Sequence, residues 1–195
     1  MKISSESIQQ CGFVLFSLSS ERSAKSAATI LEQRIMIRPN FDDIFMELAV
    51  NLAKRSHCIK KHVGAVLAKD TRIISIGYNG PPSGTHNCDE EFPVEGCARD
   101  SKGSCTLALH AEQNAILYAV KNNTSVEGST LYVTLAPCLA CARIIFSMGI
   151  ERVIYMYSYA EYKGLPFDEG VEFLRKFGVK VEKYQNEFIV DDPLI

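Results

Sequence analysis

The sequence lacks both the excess of positive charge and the long apolar segments that mark nucleic-acid-binding and membrane proteins. Its 195 residues include 21 Lys and Arg against 23 Asp and Glu, which gives a net charge of -2 and an isoelectric point near 6.1. Because binding to nucleic acid depends on many basic side chains that displace counterions, we expect no nucleic-acid partner. The longest early apolar run, 12–18, is far shorter than the roughly 20 residues of a membrane helix, so we also expect no membrane span.

An export signal is also absent from the early residues, since no charged segment with a small-residue cleavage site accompanies that apolar run. We therefore expect a cytoplasmic protein. Seven cysteines are many for a chain of this size, but an odd number without an export signal does not fit a disulfide scaffold. Cysteines together with the four histidines instead indicate metal binding or catalysis.

The chain has two parts of different composition. Residues 1–38 contain eight serines and only a weak helical pattern, which favours a helical decoration over a regulatory or targeting arm. We treat them as an N-terminal extension of unknown role and assign the catalytic domain to residues 39–195.

Hydrophobic periodicity predicts a mixed sheet between helices from residue 40 onward. A first helix, capped by Asn40 and ending near Arg55, is expected to bury a face made of Phe41, Ile44, Phe45, Leu48 and Leu52. Further strands are predicted at 63–68, 72–78, 130–135, 152–157 and 179–184, with helices at 107–121, 138–148 and 167–177 and an irregular stretch at 79–106. This order predicts a three-layer α/β/α fold with a five-stranded mixed sheet.

Two short motifs carry the chemistry, His110-Ala111-Glu112 and Pro137-Cys138-Leu139-Ala140-Cys141. A Cys-x-x-Cys pair at a helix start can direct two thiolates at one metal, and the helix N-terminus lowers the pKa of a thiol. With one histidine added, the donor set suits zinc with an open position for water, whose pKa the metal lowers toward 7. His110, Cys138 and Cys141 are therefore the candidate zinc ligands.

Glu112 lies two residues after His110, where its carboxylate is placed beside the metal rather than on it. Such a group can move a proton from the activated water to a substrate nitrogen, as hydrolytic deamination of an aminopyrimidine requires. The His-x-Glu and Pro-Cys-x-x-Cys pair is the signature of zinc deaminases. A closed zinc knot would need a fourth protein ligand, and a redox Cys-x-x-Cys would not need His-x-Glu.

From about residue 37 to residue 184 the chain resembles the deoxycytidylate (dCMP) deaminases of the cytidine deaminase-like superfamily. The zinc motif is common to the superfamily, whereas the stretch Gly77-Tyr78-Asn79-Gly80-Pro81-Pro82-Ser83-Gly84 and the long cysteine-bearing loop are typical of dCMP deaminases. The resemblance implies the same zinc ligands, Glu112 as the proton shuttle, and conversion of dCMP to dUMP for thymidylate synthesis. It also implies a homo-oligomer, often a hexamer, that is activated by dCTP and inhibited by dTTP, with Mg²⁺ accompanying the effector.

Other functions stay open on the sequence. Superfamily relatives act on dCTP, on tRNA adenosine or on riboflavin precursors, although the acidic isoelectric point disfavours tRNA. A non-catalytic zinc nucleotide-binding module is the alternative from another class, and Glu112 argues against it because a structural site has no use for that carboxylate.

Substrate contacts are predicted around the Asn-Gly turn and beside the zinc motifs. Asn79 is a candidate for a hydrogen bond to the deoxyribose, with Tyr78 and Gly80 near a phosphate or an effector, but the chemistry of a turn explains Asn and Gly equally well. The backbone at Ala111 and Ala136 is expected to hold the pyrimidine edge. The cytosine could stack on the ring of one of four tyrosines that follow the Cys-x-x-Cys helix, namely Tyr155, Tyr157, Tyr159 and Tyr162.

Two further groups of residues have both a functional and an ordinary interpretation. The cysteines Cys58, Cys88, Cys97 and Cys105 could form a second, structural zinc site, with His57 and His86 as substitute ligands, or could be buried thiols. The basic residues Lys54, Arg55, Lys60 and Lys61 could meet a 5′-phosphate, although a solvated helix end is the commoner reason for such a cluster.

Overall fold

The computed structural model describes residues 39–92, 97–101, 103, 105–164, 166 and 168–185. The predicted extension over 1–38 lies outside the described residues, as does the C-terminal stretch 186–195.

The described chain alternates helices and strands in the order expected from the sequence. The helices are α1 (Phe41–Ala53), α2 (Cys88–Glu91), α3 (Ala111–Lys121), α4 (Leu139–Ser147), α5 (Tyr159–Lys163) and α6 (Glu169–Lys176). The strands are β1 (Gly64–Lys69), β2 (Arg72–Tyr78), β3 (Thr130–Leu135), β4 (Arg152–Tyr157) and β5 (Lys180–Lys183).

The five strands form one mixed sheet in the order β2-β1-β3-β4-β5. β1 pairs antiparallel with both β2 and β3, whereas β3, β4 and β5 run parallel. The β1–β2 hairpin turns through Asp70 and Thr71, which both adopt positive φ, 49° and 62°. Since β3 and β4 are central and parallel, their carboxyl ends open at the same edge, the usual place for a site in such sheets.

Each face of the sheet is covered by helices, which confirms the predicted three-layer architecture. One core joins α3, α4 and α6 to inward residues of the strands, among them Leu67, Val133 and Val153. The other core packs α1 against the opposite face, where Val66, Tyr132 and Ile154 lie. Alternate residues of β1 and β3 therefore point into different cores, as the two-residue period of a strand requires.

The prediction of which α1 residues are buried was wrong in part. The helix buries Phe45, Met46, Ala49, Val50 and Ala53, while Phe41 and Ile44 are 45% and 41% exposed. The reason is close packing, because small residues of α1 lie against the backbone of β1. A helix that approaches a sheet so closely presents its alanines rather than its largest side chains.

An ion-pair cluster joins the first turn of α1 to the parallel strands β3, β4 and β5. Both carboxylate oxygens of Asp42 accept from the Arg152 guanidinium, at 3.0 and 2.8 Å. Tyr132 donates its hydroxyl to the same carboxylate at 2.6 Å, and Arg152 also pairs with Glu182. These contacts join residues up to 110 positions apart, so sequence periodicity could not show them.

Helix boundaries account for most other differences from the sequence-based prediction. The helix expected from residue 107 begins only at Ala111, because Leu109 pairs with Gly80 in an isolated antiparallel β-bridge. The short helices α2 and α5 were not predicted, since four or five residues carry too little periodicity. Among the described residues, every helix falls short of the length and apolarity that crossing a bilayer would take.

Candidate metal centre and active site

The two sequence motifs meet at the carboxyl end of β3. His110 is the N-cap of α3 and Cys138 is the N-cap of α4, so both ligands lie where a helix presents its positive end. Cys141 follows one turn into α4. The carboxamide of Gln113 accepts from the His110 backbone N–H at 2.9 Å, which fixes the residue that carries the imidazole.

The three candidate ligands have the spacing that zinc needs. Nδ1 of His110 lies 3.6 Å from Sγ of Cys138 and 3.3 Å from Sγ of Cys141. A tetrahedral zinc with Zn–S bonds of about 2.3 Å and a Zn–N bond of about 2.0 Å holds its sulfur and nitrogen ligands roughly 3.5 Å apart. All three ligand atoms lie within 4.8 Å of one another, which no other group of three candidate ligands achieves in the part of the chain that the structure describes. The donor set and its geometry therefore fit Zn²⁺.

Neighbouring groups favour the thiolate form of one candidate ligand, Cys138. Hydrogen bonding from Cys141, with a further contribution from His110, outweighs burial and lowers the pKa of Cys138 to about 3. Its partner responds oppositely, since the Cys138 thiolate and burial together raise the pKa of Cys141. The bond to Cys138 also raises the pKa of His110. Metal binding must therefore release protons from the cluster, as is usual for cysteine and histidine sites.

Glu112 lies within this cluster and is almost removed from solvent. It occupies the first turn of α3 and is only 4% exposed. Burial raises the pKa of its carboxyl group above the ordinary 4.5, while the neighbouring His110 acts in the opposite direction. A raised pKa makes the carboxylate a better proton acceptor than an ordinary glutamate, which suits a proton shuttle.

A cavity of about 500 Å³ adjoins this cluster, a size typical of small-molecule sites. Its wall includes two of the ligands, His110 and Cys138, together with Glu112. The remaining lining comes from four parts of the chain, which contribute Cys58, Lys60, Lys61 and Val63; Asn79; Gly103, Cys105, Ala108, Leu109 and Ala111; and Leu135, Ala136 and Tyr159.

Three of the five predicted substrate contacts line this cavity, namely Asn79, Ala111 and Ala136. The Asn79 amide already bonds to the backbone, because Oδ1 accepts from Val63 N–H at 2.8 Å and Nδ2 donates to the Lys61 carbonyl at 2.9 Å. The buried Asn79 therefore holds the chain that enters β1, in addition to facing the cavity.

Tyr78 and Gly80 are not among the residues that line the cavity. Tyr78 is 37% exposed, and its backbone carbonyl accepts from the Asn114 amide at 2.8 Å. Gly80 exchanges two backbone hydrogen bonds with Leu109, at 3.1 and 2.9 Å, just before the ligand His110. Both residues thus connect the end of β2 to α3, and their predicted contact with an effector stays a prediction.

The four extra cysteines lie within electrostatic reach of one another. Burial raises the pKa of Cys88, and the charges of Cys105, Cys97 and Cys58 add to the rise. Their sulfurs do not reach the ligand spacing of the first cluster among the described residues. His57, considered as a substitute ligand, bonds through Nδ1 to the Asp89 carboxylate at 2.9 Å. Cys58 and Cys105 also line the active-site cavity.

Of the four tyrosines considered for stacking, Tyr159 lines the cavity, whereas Tyr155 is buried in the core under α4 and α6 and Tyr157 packs against the core. The side chain of Tyr162 lies outside the described residues. Asp168 holds the segment around Tyr159, since its carboxylate accepts from the Ser158 hydroxyl and from the Ala160 N–H, both at 2.6 Å. Nothing in the local pattern around Asp168 indicated this function.

Two glycines permit the approach of the ligand-bearing segments, and the sequence analysis missed both. A Cβ at Gly77 would lie 2.4 Å from the carbonyl oxygen of Ala111, and one at Gly170 would lie 2.0 Å from that of Pro137. The first glycine lets α3 rest on β2, and the second lets α6 rest on the Pro137–Cys138 peptide. Gly77 lies between Ile76 and Tyr78 in a strand, which is a weak signal, whereas Gly170 lies between Glu169 and Val171 and its surroundings give no signal.

Comparison with known proteins agrees with this geometry. Over 129 residues the chain is 43% identical to a deoxycytidylate deaminase of Schizosaccharomyces pombe, an alignment that covers 63% of this chain but only 38% of the yeast protein. Over 126 residues it is 42% identical to the deoxycytidylate deaminase of Mycobacterium phage D29, covering 62% of this chain and 97% of the phage protein.

A solved structure shows the same likeness in three dimensions. The dCMP deaminase of cyanophage S-TIM5, crystallised with dCMP and dUMP, superposes with a TM-score of 0.63 at 33% identity, covering 76% of this chain and 99% of the phage chain. Residues 39–157 match the family described as the cytidine and deoxycytidylate deaminase zinc-binding region. That match takes in β1 to β4, the His-x-Glu motif and the Cys-x-x-Cys helix, and by it the chain belongs to the cytidine and deoxycytidylate deaminase family.

Proposed function

We propose that this protein hydrolyses dCMP to dUMP and ammonia. The observation that carries the proposal is the convergence of the His110, Cys138 and Cys141 cluster with the buried Glu112 in one cavity of nucleotide-binding size. Support for the substrate comes from the relatives that are named deoxycytidylate deaminases and from the dCMP and dUMP held by the cyanophage enzyme.

His110, Cys138 and Cys141 would hold zinc, which supplies the Lewis acidity that makes a water molecule nucleophilic near neutral pH. Glu112 takes a proton from that water and passes it to N3 of the cytosine ring. The oxygen of the water forms a bond to C4. Glu112 then carries the second proton of the water to the 4-amino nitrogen, the C4–N bond breaks, and the nitrogen leaves as ammonia while the oxygen remains on C4. Each proton released by the water is therefore delivered to a nitrogen of the substrate, and the reaction balances.

The backbone at the cavity wall can hold the pyrimidine edge. Ala111 is the first residue of α3, and the N–H groups of a first helical turn have no partner within the helix. The Ala136 N–H is engaged, because it donates to the Tyr157 carbonyl at 2.8 Å, so only the Ala136 carbonyl is offered to a substrate. One donor and one acceptor across the cavity match the polar edge of cytosine.

Glu112→Gln tests the proton shuttle directly. The amide keeps the shape of the side chain but cannot accept a proton, so we expect kcat for dCMP to fall by about 100- to 10,000-fold. Zinc content, measured by atomic emission, should stay unchanged. Glu151→Gln, an exposed change outside the cavity, is the matched control and should leave kcat intact. An unaltered rate in the Glu112 variant would rule out the assigned role.

Substrate choice is tested by comparing kcat/KM for dCMP, dCTP, deoxycytidine and an anticodon stem-loop. The proposal requires kcat/KM to be highest for dCMP. A higher kcat/KM for another of these compounds would refute dCMP as the preferred substrate. No turnover of any of them would favour a non-catalytic nucleotide-binding module.

Further parts of the proposal rest on the resemblance to the dCMP deaminases alone. They are the supply of dUMP for thymidylate synthesis, activation by dCTP with Mg²⁺, inhibition by dTTP, and assembly into a homo-oligomer such as a hexamer. A dCMP saturation curve that is sigmoidal and becomes hyperbolic with dCTP would support an allosteric oligomer. A hyperbolic curve unaffected by both triphosphates would refute this regulation.

A second, structural zinc at Cys58, Cys88, Cys97 and Cys105 also belongs to the proposal. Its support is the mutual electrostatic contact of the four thiols and the backbone N–H of Ala108, which donates to Sγ of Cys105 at 3.4 Å. Two zinc ions per chain, falling to one in Cys88→Ser, would support this site. A count of one in the unmodified protein would exclude it.

A further inference from the structure

The structure distinguishes between the four basic residues that the sequence analysis treated alike as candidates for binding a 5′-phosphate. Lys60 and Lys61 line its wall, whereas Lys54 and Arg55 do not. Lys54 instead directs its ammonium to the Asn51 amide oxygen at 3.4 Å on the exposed side of α1. Lys60 donates to the Gly103 carbonyl at 3.1 Å, which ties the cysteine-bearing loop to the rim.

Lys61 differs from Lys60 because its ammonium is buried. Nζ of Lys61 lies 4.0 Å from the centroid of the Tyr159 ring, at cation–π distance. Lys61 lines the same cavity as the candidate zinc ligands His110 and Cys138. A cation is therefore held inside the cavity, beside the segment that follows β4.

Both members of this pair are positioned by partly buried hydrogen bonds from elsewhere in the fold. Asn79 holds the Lys61 carbonyl through Nδ2 at 2.9 Å. Asp168 holds the segment around Tyr159 through its bonds to Ser158 and Ala160. Because the two elements are fixed before a substrate arrives, the ammonium needs little ordering on binding, and preorganised charges bind most effectively.

We propose that Lys61, positioned by Tyr159 and Asn79, binds the 5′-phosphate and so determines that this site takes a nucleoside monophosphate rather than a nucleoside. The inference rests on the proposed function and deepens it. The zinc cluster and Glu112 account for the amino group of the base, and none of them recognises a phosphate. A lysine ammonium provides three donors and a compact positive charge, which suit a phosphate dianion.

The test compares kcat/KM for dCMP and for deoxycytidine in the wild type, Lys61→Met and Lys61→Arg. Methionine keeps the apolar stem of lysine without its charge. We expect kcat/KM for dCMP to fall by about 10- to 100-fold in Lys61→Met, the usual effect of losing a hydrogen bond to a charged group. The fall should appear in KM rather than kcat, deoxycytidine turnover should stay within about threefold by the same reasoning, and Lys61→Arg should restore most of the dCMP activity.

Lys54→Met is the matched control, because it removes a neighbouring lysine outside the cavity and should leave the preference for dCMP unchanged. Equal losses with both substrates, or an unchanged ratio in Lys61→Met, would overturn the role of Lys61. If Lys61→Met does not fold, competition in the wild type decides: dUMP must inhibit at least about tenfold more strongly than deoxyuridine, and equal inhibition would overturn the proposal. A wild type that prefers deoxycytidine would instead refute the proposed substrate.

Discussion

Replacement of Gly170 by alanine should weaken zinc binding from a position that is not a zinc ligand. The added Cβ would lie 2.0 Å from the Pro137 carbonyl oxygen and 2.9 Å from that of Cys138. An ordinary contact needs 3.4 Å, so α6 and the Pro137–Cys138 peptide must separate by about 1.4 Å. That peptide leads directly into the Cys138 side chain and the first turn of α4.

The size of this displacement determines the expected effect. Metal sites tolerate ligand shifts of only about 0.2 Å. If even a fraction of the separation is taken up by Cys138 rather than α6, zinc affinity should fall by about tenfold or more, as for loss of a group that orients a ligand. Overpacking should also lower the free energy of unfolding by about 1–3 kcal/mol.

Zinc affinity is measured by competition with a chromogenic chelator, and stability by urea unfolding of the zinc-loaded protein. Gly64→Ala provides the control, because its Cβ would meet the Ala49 carbonyl oxygen of α1, across the sheet from α6. The control should lose stability to a similar extent while its folded fraction keeps wild-type zinc affinity. Wild-type affinity in Gly170→Ala, or an equal loss of affinity in both variants, would refute the reasoning.

Two further predictions concern the fixed charges outside the zinc cluster. Burial works against ionisation of Asp42, but the hydrogen bonds from Arg152 and Tyr132 outweigh it and lower its pKa below 3.8. Its contribution to stability is therefore complete above about pH 4 and is lost as the pH falls through the folded-state pKa, since the unfolded state then binds more protons. Asp42→Asn should lower the free energy of unfolding by about 1 kcal/mol at pH 7, a value reduced for solvent screening because the ion pair is partly exposed. The difference between the urea midpoints of the wild type and of Asp42→Asn should be smaller at pH 3 than at pH 7. A difference that does not change with pH would contradict this account. Asp168→Ala removes the acceptor for both Ser158 and Ala160, and should raise KM for dCMP while lowering the free energy of unfolding by about 1–3 kcal/mol. If KM stays at the wild-type value, Asp168 supports the fold but does not position Tyr159.

The zinc motifs could be identified from the sequence because their chemistry is local. His110 and Glu112 are two residues apart, and Cys138 and Cys141 are three apart, so short-range helix geometry determines how each pair is arranged. Strand positions were predicted well for the same reason, since a strand of six residues carries its own alternation. The predicted strand 130–135 coincides with β3, and the predicted strand 152–157 coincides with β4.

The burial of α1 shows where local pattern ceases to be sufficient. Counting large apolar residues favoured a face that includes Phe41 and Ile44, which the structure leaves exposed. Ala49, fully buried, is selected instead because β1 offers a glycine at the point of contact. That choice depends on two elements at once, and neither sequence segment contains it alone.

Composition, spacing and periodicity predicted the three-layer architecture, and the two short motifs indicated the candidate zinc ligands and Glu112, because the pattern of each strand, helix and motif depends on residues close together in the chain. Only the tertiary structure decided which of four basic residues enters the cavity, which tyrosine meets it, and which glycines admit the ligand-bearing segments. These choices depend on contacts between residues that are far apart in the chain, such as Lys61, which precedes β1, and Tyr159, which follows β4. Such contacts are decided by how the strands pair and how closely the helices pack.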